Sequence, residues 1–363
     1  MDSHSGTRGG SMSASIYLDY QATTPLAPEV FAAMEPWLRD NFWNPHSAHT
    51  GGRKAAAAVE AAREQVAALL PSGGRVIFTS GATEAINLAI KGCGLPVSAL
   101  ASEHAAVLDC VEYLGGDNLT INEDGLVANA PASSGLFAAM LVNNEIGTIQ
   151  PVGDLAASTH SEGGLLLCDA VQGYGRIPIP EGPDMIAISA HKIHGPKGIG
   201  ALWVRDGIKL EPLIHGGGQE QGLRSGTLSP ALCVGFGAAA ALAEKRMEQD
   251  SMHVIELWGR AMELFSDWTI NGSTTNRYKG NLNIRRDGVD VGRLMSECRE
   301  VLFSAGSACA SGSGRPSHVL RAIGLTDAQA KSSIRLGFGR YTTLEEIERA
   351  AELINAAAER QLA

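Results

Sequence analysis

The stretch Ser189-Ala-His-Lys-Ile-His-Gly-Pro-Lys-Gly198 carries one lysine, Lys192, where an apolar run, Met185-Ile-Ala-Ile-Ser189, enters a glycine-containing turn. A second apolar run, Gly164-Leu-Leu-Leu-Cys-Asp-Ala-Val-Gln172, ends in a carboxylate, Asp169, 23 residues before Lys192. Short, unbroken apolar runs bounded by turn residues predict strands buried on both faces. Two such strands lying side by side bring an amine and an acid to adjacent strand ends.

Working outward, Arg75-Val-Ile-Phe-Thr79, Leu136-Phe-Ala-Ala-Met-Leu-Val142 and Ala201-Leu-Trp-Val204 also read as buried strands, and Ala27 to Phe42 and Ala55 to Leu70 as amphipathic helices. This alternation predicts an α/β fold with a mostly parallel sheet between helices and a ligand crevice at the strand C-terminal ends. Ser229-Pro230 is an N-cap with proline at the first helical position, opening an alanine-rich helix to about Glu248. Beyond it, Asn281-Leu-Asn-Ile-Arg285, Val301-Leu-Phe303 and Ser333-Ile-Arg-Leu-Gly337 predict shorter strands among helices, the last helix opening on the capping box Thr343-Leu-Glu-Glu346. The expected organisation is a disordered leader over 1–14, with Met12 as an alternative start, a large domain over 15–250 and a small α+β domain over 251–363, which the first residues of the large domain join.

Composition narrows the function. At 44% hydrophobic and 19% charged residues with 43 glycines, the chain has a large core and many tight turns. Lys plus Arg number 29 against 39 Asp plus Glu, a formal charge of −10 with no basic run, which argues against nucleic-acid and anionic-membrane partners. Six cysteines form no C-x-x-C pair and no cluster with histidine at ligand spacing, so neither a metal site nor a disulfide framework is expected, and the thiols should be reduced in a cytoplasmic setting. No dinucleotide or P-loop glycine motif occurs.

An amine and an acid at adjacent strand ends suit pyridoxal 5'-phosphate. This cofactor binds its aldehyde to a lysine, and a carboxylate keeps the pyridine nitrogen protonated so that the ring draws electrons. Alone, Asp169 is better read as a helix cap and Lys192 as a solvated charge. Their neighbours decide: Gly81-Ala-Thr-Glu84, Glu103-His104, Asn143-Asn-Glu-Ile-Gly147, and Gly216-Gly-Gly-Gln-Glu-Gln-Gly-Leu-Arg-Ser-Gly-Thr227. With the Asp169 and Lys192 stretches, these resemble the class V aminotransferase family and within it the cysteine desulfurases of the NifS and IscS type, from about Tyr17 to the last helix.

Gly81-Ala82-Thr83, between a strand and a helix, suits a phosphate held by backbone N–H groups and the Thr83 hydroxyl, though such a turn is equally an N-cap. The resemblance implies pyridoxal phosphate fold type I and a phosphate cup completed by Ser189, His191 and, from the second subunit of a homodimer, Thr227. It also implies that His104 stacks on the ring and handles substrate protons, and that Asn144 and Gln172 bond the phenolic oxygen; strand-end capping is the alternative for those two. It further implies that Arg335 clamps the substrate carboxylate, with Arg340 as competitor, and that Asn44 and His49 lie near the substrate. A guanidinium fork suits the clamp.

Cys309 separates a desulfurase from an aminotransferase, which needs no thiol. It sits in Ser307-Ala-Cys-Ala-Ser-Gly-Ser-Gly314, polar and glycine-rich, whereas Cys93, Cys110, Cys168, Cys233 and Cys298 lie in apolar patterns. The implied reaction converts L-cysteine to alanine: Lys192 removes the Cα proton, and Cys309 takes the sulfur as a persulfide for an iron-sulfur scaffold or another acceptor protein. Three departures stand out: Tyr20 and Gln21 where the family usually has asparagines, a shortened stretch from Gly92 to Leu136, and a chain that stops at Ala363, soon after the last helix. A selenocysteine lyase or aminotransferase of the same fold, and a non-catalytic interaction platform, remain as alternatives; retained Lys192 and Asp169 argue against the platform.

Overall fold

The computed structural model describes residues 15–129, 134–306 and 316–363. The expected leader and the polar, glycine-rich segment around Cys309 both lie outside the described residues. The chain enters on a short strand, Ile16–Tyr17 (β1), followed by helices Pro28–Arg39 (α1) and Thr50–Ala67 (α2). Next come Gly74–Thr79 (β2), Ala82–Gly92 (α3), Val97–Leu100 (β3), Ala105–Leu114 (α4), Asp117–Leu119 (β4) and Leu136–Met140 (β5). Val152–Ser161 (α5), Leu165–Asp169 (β6), Met185–Ser189 (β7) and Gly200–Arg205 (β8) complete a seven-stranded sheet of order β2-β8-β7-β6-β5-β3-β4.

The sheet is mostly parallel, as the apolar runs predict, with one reversed strand. β8 lies antiparallel to both β7 and β2. The reason is the short connection after Ser189: a parallel return needs a crossover of a dozen or more residues, and the turn bearing Lys192 is too short to supply one. Successive side chains point to opposite faces. Phe137, Leu166 and Ile186 therefore join the core beneath α1 and α2, while Ala138, Leu167 and Ala187 join the one beneath α3 and α4.

A long helix, Pro230–Leu264 (α6), links this sheet to a second core. Its start is capped by Ser229, whose side chain accepts from Leu232 N–H. It was expected to close near Glu248; it runs on to Leu264 because no Gly or Pro interrupts residues 238–258. At 35 residues it spans about 52 Å. Its apolar stripe passes from Ala239, Ala240 and Ala243 in the first core to Leu257, Trp258 and Ala261 in the second.

That second core is built from Thr269–Ile270 (β9), Asn281–Arg285 (β10), Val291–Glu297 (α7), Val301–Leu302 (β11), Ser304–Ala305 (β12), Ser333–Gly337 (β13) and Leu344–Leu362 (α10), whereas His318–Ala322 (α8) and Asp327–Lys331 (α9) bury Val319, Leu320 and Ala330 in the first core. β12-β13-β10-β9 form an antiparallel sheet. The chain start returns here: β1 pairs parallel with β11, Asp19 bridges to Gly337, and Ile16 and Leu18 are buried in this core. Thr343 and Glu346 form the capping box of α10. Among the described residues, no helix is long and apolar enough to cross a membrane.

Candidate active site

β5, β6 and β7 end side by side, with Met140 opposite Asp169 and Asp169 opposite Ala187. Beyond these ends lies a cavity of about 500 Å³. It is lined at one side by Ala82, Thr83, Ser189 and His191, at the base by His104, Asp169 and Lys192, and at the other side by Asn144, Gln172 and Arg335.

At the first side, α3 begins at Gly81, and Glu84 accepts Ser80 N–H at 2.7 Å. The turn lies directly on β8, which requires Gly200: a Cβ there would sit 2.6 Å from the Ile188 carbonyl oxygen and 2.7 Å from the Gly81 carbonyl carbon. A helix start aimed into a cavity is an anion site, through its unbonded N–H groups and its dipole. His191 faces it as a neutral imidazole, its pKa pushed down to about 4 by burial and the nearby Lys192 and Lys197 charges, with Nδ1 3.1 Å from Thr23 Oγ1.

Asp169 is buried, and among the described residues its carboxylate accepts one hydrogen bond, from Val171 N–H to Oδ1 at 3.0 Å. Burial pushes its carboxyl above the usual range, the Val171 bond pulls it back, and His104 and Lys192 do so further. A buried acceptor so thinly satisfied, at a cavity wall, suits a cationic N–H of a bound group. His104 caps α4, its Nδ1 accepting Ala106 N–H at 3.1 Å. The neutral ring therefore carries its proton on Nε2. Burial lowers its pKa, which favours that neutral form.

Lys192 is held by residues that sequence reasoning did not single out as site residues. Its Nζ donates to the backbone carbonyls of Gln21 and, at 2.9 Å, Ala22. Arg176 donates to Lys192 O at 2.6 Å and to Gln172 Oε1 at 2.7 Å, and Gln172 Nε2 donates to Gln21 O at 2.9 Å. The segment Tyr20–Thr24 thus straps the lysine turn, with Thr24 Oγ1 donating to His191 O at 2.9 Å and accepting His194 N–H at 2.7 Å. A carbonyl acceptor leaves no mark in a sequence; the only signal was that Tyr20 and Gln21 stand where asparagines were expected.

Arg335 reaches the cavity from β13 in the second core. It is 1% exposed, donating through Nη2 to Asp19 Oδ1 at 2.7 Å and through Nη1 to Asn144 O at 3.0 Å, while its buried Nε has no partner. Arg340 instead pairs with Asp250 at 2.7 Å and does not line the cavity. Nor do Asn44, His49 and Thr227. Asn44 Oδ1 accepts His46 N–H in a turn, and His49 Nδ1 accepts Gly52 N–H as the N-cap of α2. Thr227 is exposed, on a segment pinned by Arg63–Glu220 at 2.7 Å and Arg224–Glu84 at 2.8 Å. Cys110, Cys168, Cys233 and Cys298 are buried and Cys93 is half-buried; burial raises all five thiols, Cys233 to about 12, which keeps them unreactive.

Amine, buried acid and helix start around one cavity fit pyridoxal 5'-phosphate. The model of the aminotransferase class-V family matches residues 16–350. Among curated relatives, the cysteine desulfurase IscS of Rickettsia akari is 43% identical over 93% of this chain and 90% of its own length. Among solved structures, a NifS-like protein from Rickettsia africae superposes with a TM-score of 0.88 at 28% identity, covering 95% of this chain and all but 1% of that one. SspA in complex with cysteine matches with a TM-score of 0.79 at 36% identity over 91% of this chain and the whole of that one. The chain belongs to the aminotransferase class V family and is a pyridoxal phosphate-dependent enzyme.

Proposed function

We propose that this enzyme is a cysteine desulfurase, converting L-cysteine to L-alanine and holding the sulfur on Cys309. The observation that carries the reading is the convergence of Lys192, Asp169 and Arg335, from two strand ends of one sheet and the middle of another, on a single cavity. The names of the relatives and Cys309 itself favour desulfuration over transamination. When bound, pyridoxal phosphate supplies an electron sink for the substrate's Cα. Ala82, Thr83, Ser189 and His191 hold its phosphate, Asp169 its ring nitrogen, His104 its ring face, and Asn144 and Gln172 its phenolic oxygen.

Lys192 would attach the cofactor and, when its Nζ is free, would move the Cα proton there. The carbonyls of Gln21 and Ala22 hold that nitrogen in place between these duties. Arg335 orients the substrate carboxylate, and His104, neutral and with its ring fixed by the capping bond, offers its Nε2–H as a hydrogen-bond donor. The Cys309 thiolate attacks the substrate sulfur: an S–S bond forms, the Cβ–S bond breaks, and its electron pair stays on the three-carbon skeleton, which is protonated and leaves as alanine. No external oxidant is needed. A sulfur acceptor, such as an iron-sulfur scaffold, then takes the persulfide in the reducing cytoplasm.

Lys192→Ala should lose the visible cofactor band and lower turnover by about 10²–10⁴-fold. Cys309→Ser should keep the band and lose alanine and sulfide release from L-cysteine. Undiminished release by Cys309→Ser overturns the persulfide route. The pinned segment that carries Thr227 supports a homodimer in which Thr227 completes the partner's phosphate cup. Mixed dimers of Thr227→Ala and Lys192→Ala should then regain about half the wild-type activity, because one of the two sites keeps both residues; no recovery places Thr227 in its own subunit's site.

A further inference from the structure

Two carboxyl groups are buried at these strand ends, and only Asp169 has a part in the chemistry above. The other is Glu103, 0% exposed, on the loop between β3 and α4. Its Oε1 accepts the N–H of Met140 at 2.6 Å, and Met140 is the residue directly across the sheet from Asp169. Its Oε2 is buried without a hydrogen-bond partner.

The surroundings of the two acids differ. Asp169 is faced by His104 and Lys192 and accepts the Val171 N–H. Among the described residues, Glu103 is acted on by Asp169 from β6 and the backbone of Met140 from β5, and by no cation. Cys168, on β6, is a buried thiol that burial first, and the Asp169 charge next, hold protonated. From α8, His318 approaches only the main chain, its Nε2 2.9 Å from Glu103 O. His104, next in sequence, turns its Nδ1 to Ala106 N–H. Burial and the Asp169 charge both push the Glu103 carboxyl well above the usual range. Two like charges neighbouring in a medium of low polarity cannot both persist, and the acid faced by the Lys192 ammonium keeps the charge.

We propose that Glu103 is a positioning residue that holds a proton at neutral pH, so that the single negative charge at these strand ends rests on Asp169 and is available to the cofactor's ring nitrogen. The use made of that charge rests on the proposed role of Asp169; the location of the proton does not, and the tests below are made on cofactor-free protein as well as on holoenzyme. An ionised Glu103 would pull the shared proton onto Asp169 and take from the ring nitrogen its anionic partner. Glu103 thereby acts through Asp169 and touches no substrate.

Infrared difference spectra at pH 7 test it directly. A protonated-carboxyl C=O component should vanish in Glu103→Gln and persist in Asp169→Asn. No loss in Glu103→Gln, or a loss confined to Asp169→Asn, overturns the proposal. Stability gives a second readout. An acid whose folded pKa lies above its unfolded value of about 4.3 binds a proton in the folded state that the unfolded chain releases, so the folded state loses stability as pH rises. Between pH 5 and 7 the wild type should lose about tenfold per pH unit in its folding equilibrium relative to Glu103→Gln, by urea titration. Parallel pH profiles overturn the proposal. Glu103→Met, also uncharged, gives the same two readings where the Gln variant does not fold. In the holoenzyme, Glu103→Gln should leave the pH dependence of the cofactor band unchanged, because glutamine reproduces the neutral acid; a displaced profile also counts against it.

Discussion

The two sides of the cavity are built differently. Lys192 and Asp169 leave adjacent strands of one parallel sheet, 23 residues apart in the chain, and their placement follows from the strand register alone. Arg335 arrives from an antiparallel sheet in another core and is held by Asp19, 316 residues away in the chain, and by the Asn144 carbonyl in the turn after β5. The first side is rigid because both faces of its strands are buried. The second depends on the chain start crossing between cores, with β1 on β11 and residues 20–24 over the Lys192 turn. On the proposed roles, cofactor chemistry sits on a locally determined frame, while substrate recognition sits on a long-range assembly.

That difference predicts separable kinetics. Arg335→Ala removes charge-assisted hydrogen bonds, each stabilising by about 1.5–3 kcal/mol, and should raise KM for cysteine by about 10–100-fold while the cofactor band is retained. Loss of the band in this variant would mean that the two sides are not independent. Asp19→Asn keeps a hydrogen-bond partner for Nη2 but removes the charge that fixes the fork, so a smaller rise in KM, about 3–10-fold, is expected. A lower KM would instead show that Asp19 competes with the substrate carboxylate for Arg335.

The same division explains what could be read in advance. The Met185–Ser189 and Leu165–Asp169 runs were legible as strands, and the side-by-side placement of their ends followed, because continuous apolar patterning and strand register are local properties. The reversal of β8 was not, since a strand buried on both faces reads alike in either direction; only the length of the turn before it decides. Asn44 and His49 were expected near the substrate, yet their side chains serve a turn and a helix cap, the ordinary local work of those residue types. The strap of Gln21 and Ala22 acts through main-chain oxygens, and Glu103 matters through its lack of partners; neither has a sequence signature.

The smallest effect concerns the clip between the two sides. His194 sits where the strap meets the lysine turn, buried, with Nδ1 2.9 Å from Pro25 O and its ring edge-on to Tyr341 at 5.0 Å. Burial, with Arg340 nearby, pushes its pKa down to about 3. Above the unfolded value of about 6.5 both states are neutral and its contribution is complete. As pH falls from there towards the folded value, the unfolded chain binds a proton that the folded one refuses, so stability drops by up to about tenfold per pH unit for this residue. His194→Asn, chosen because asparagine tolerates the positive φ of 67° at this position, should flatten that acid-side slope in urea titrations. The effect runs opposite in pH to that of Glu103. Coincident acid limbs for wild type and variant would show that the imidazole takes up its proton in the folded state, and that the strap yields where the strand ends do not.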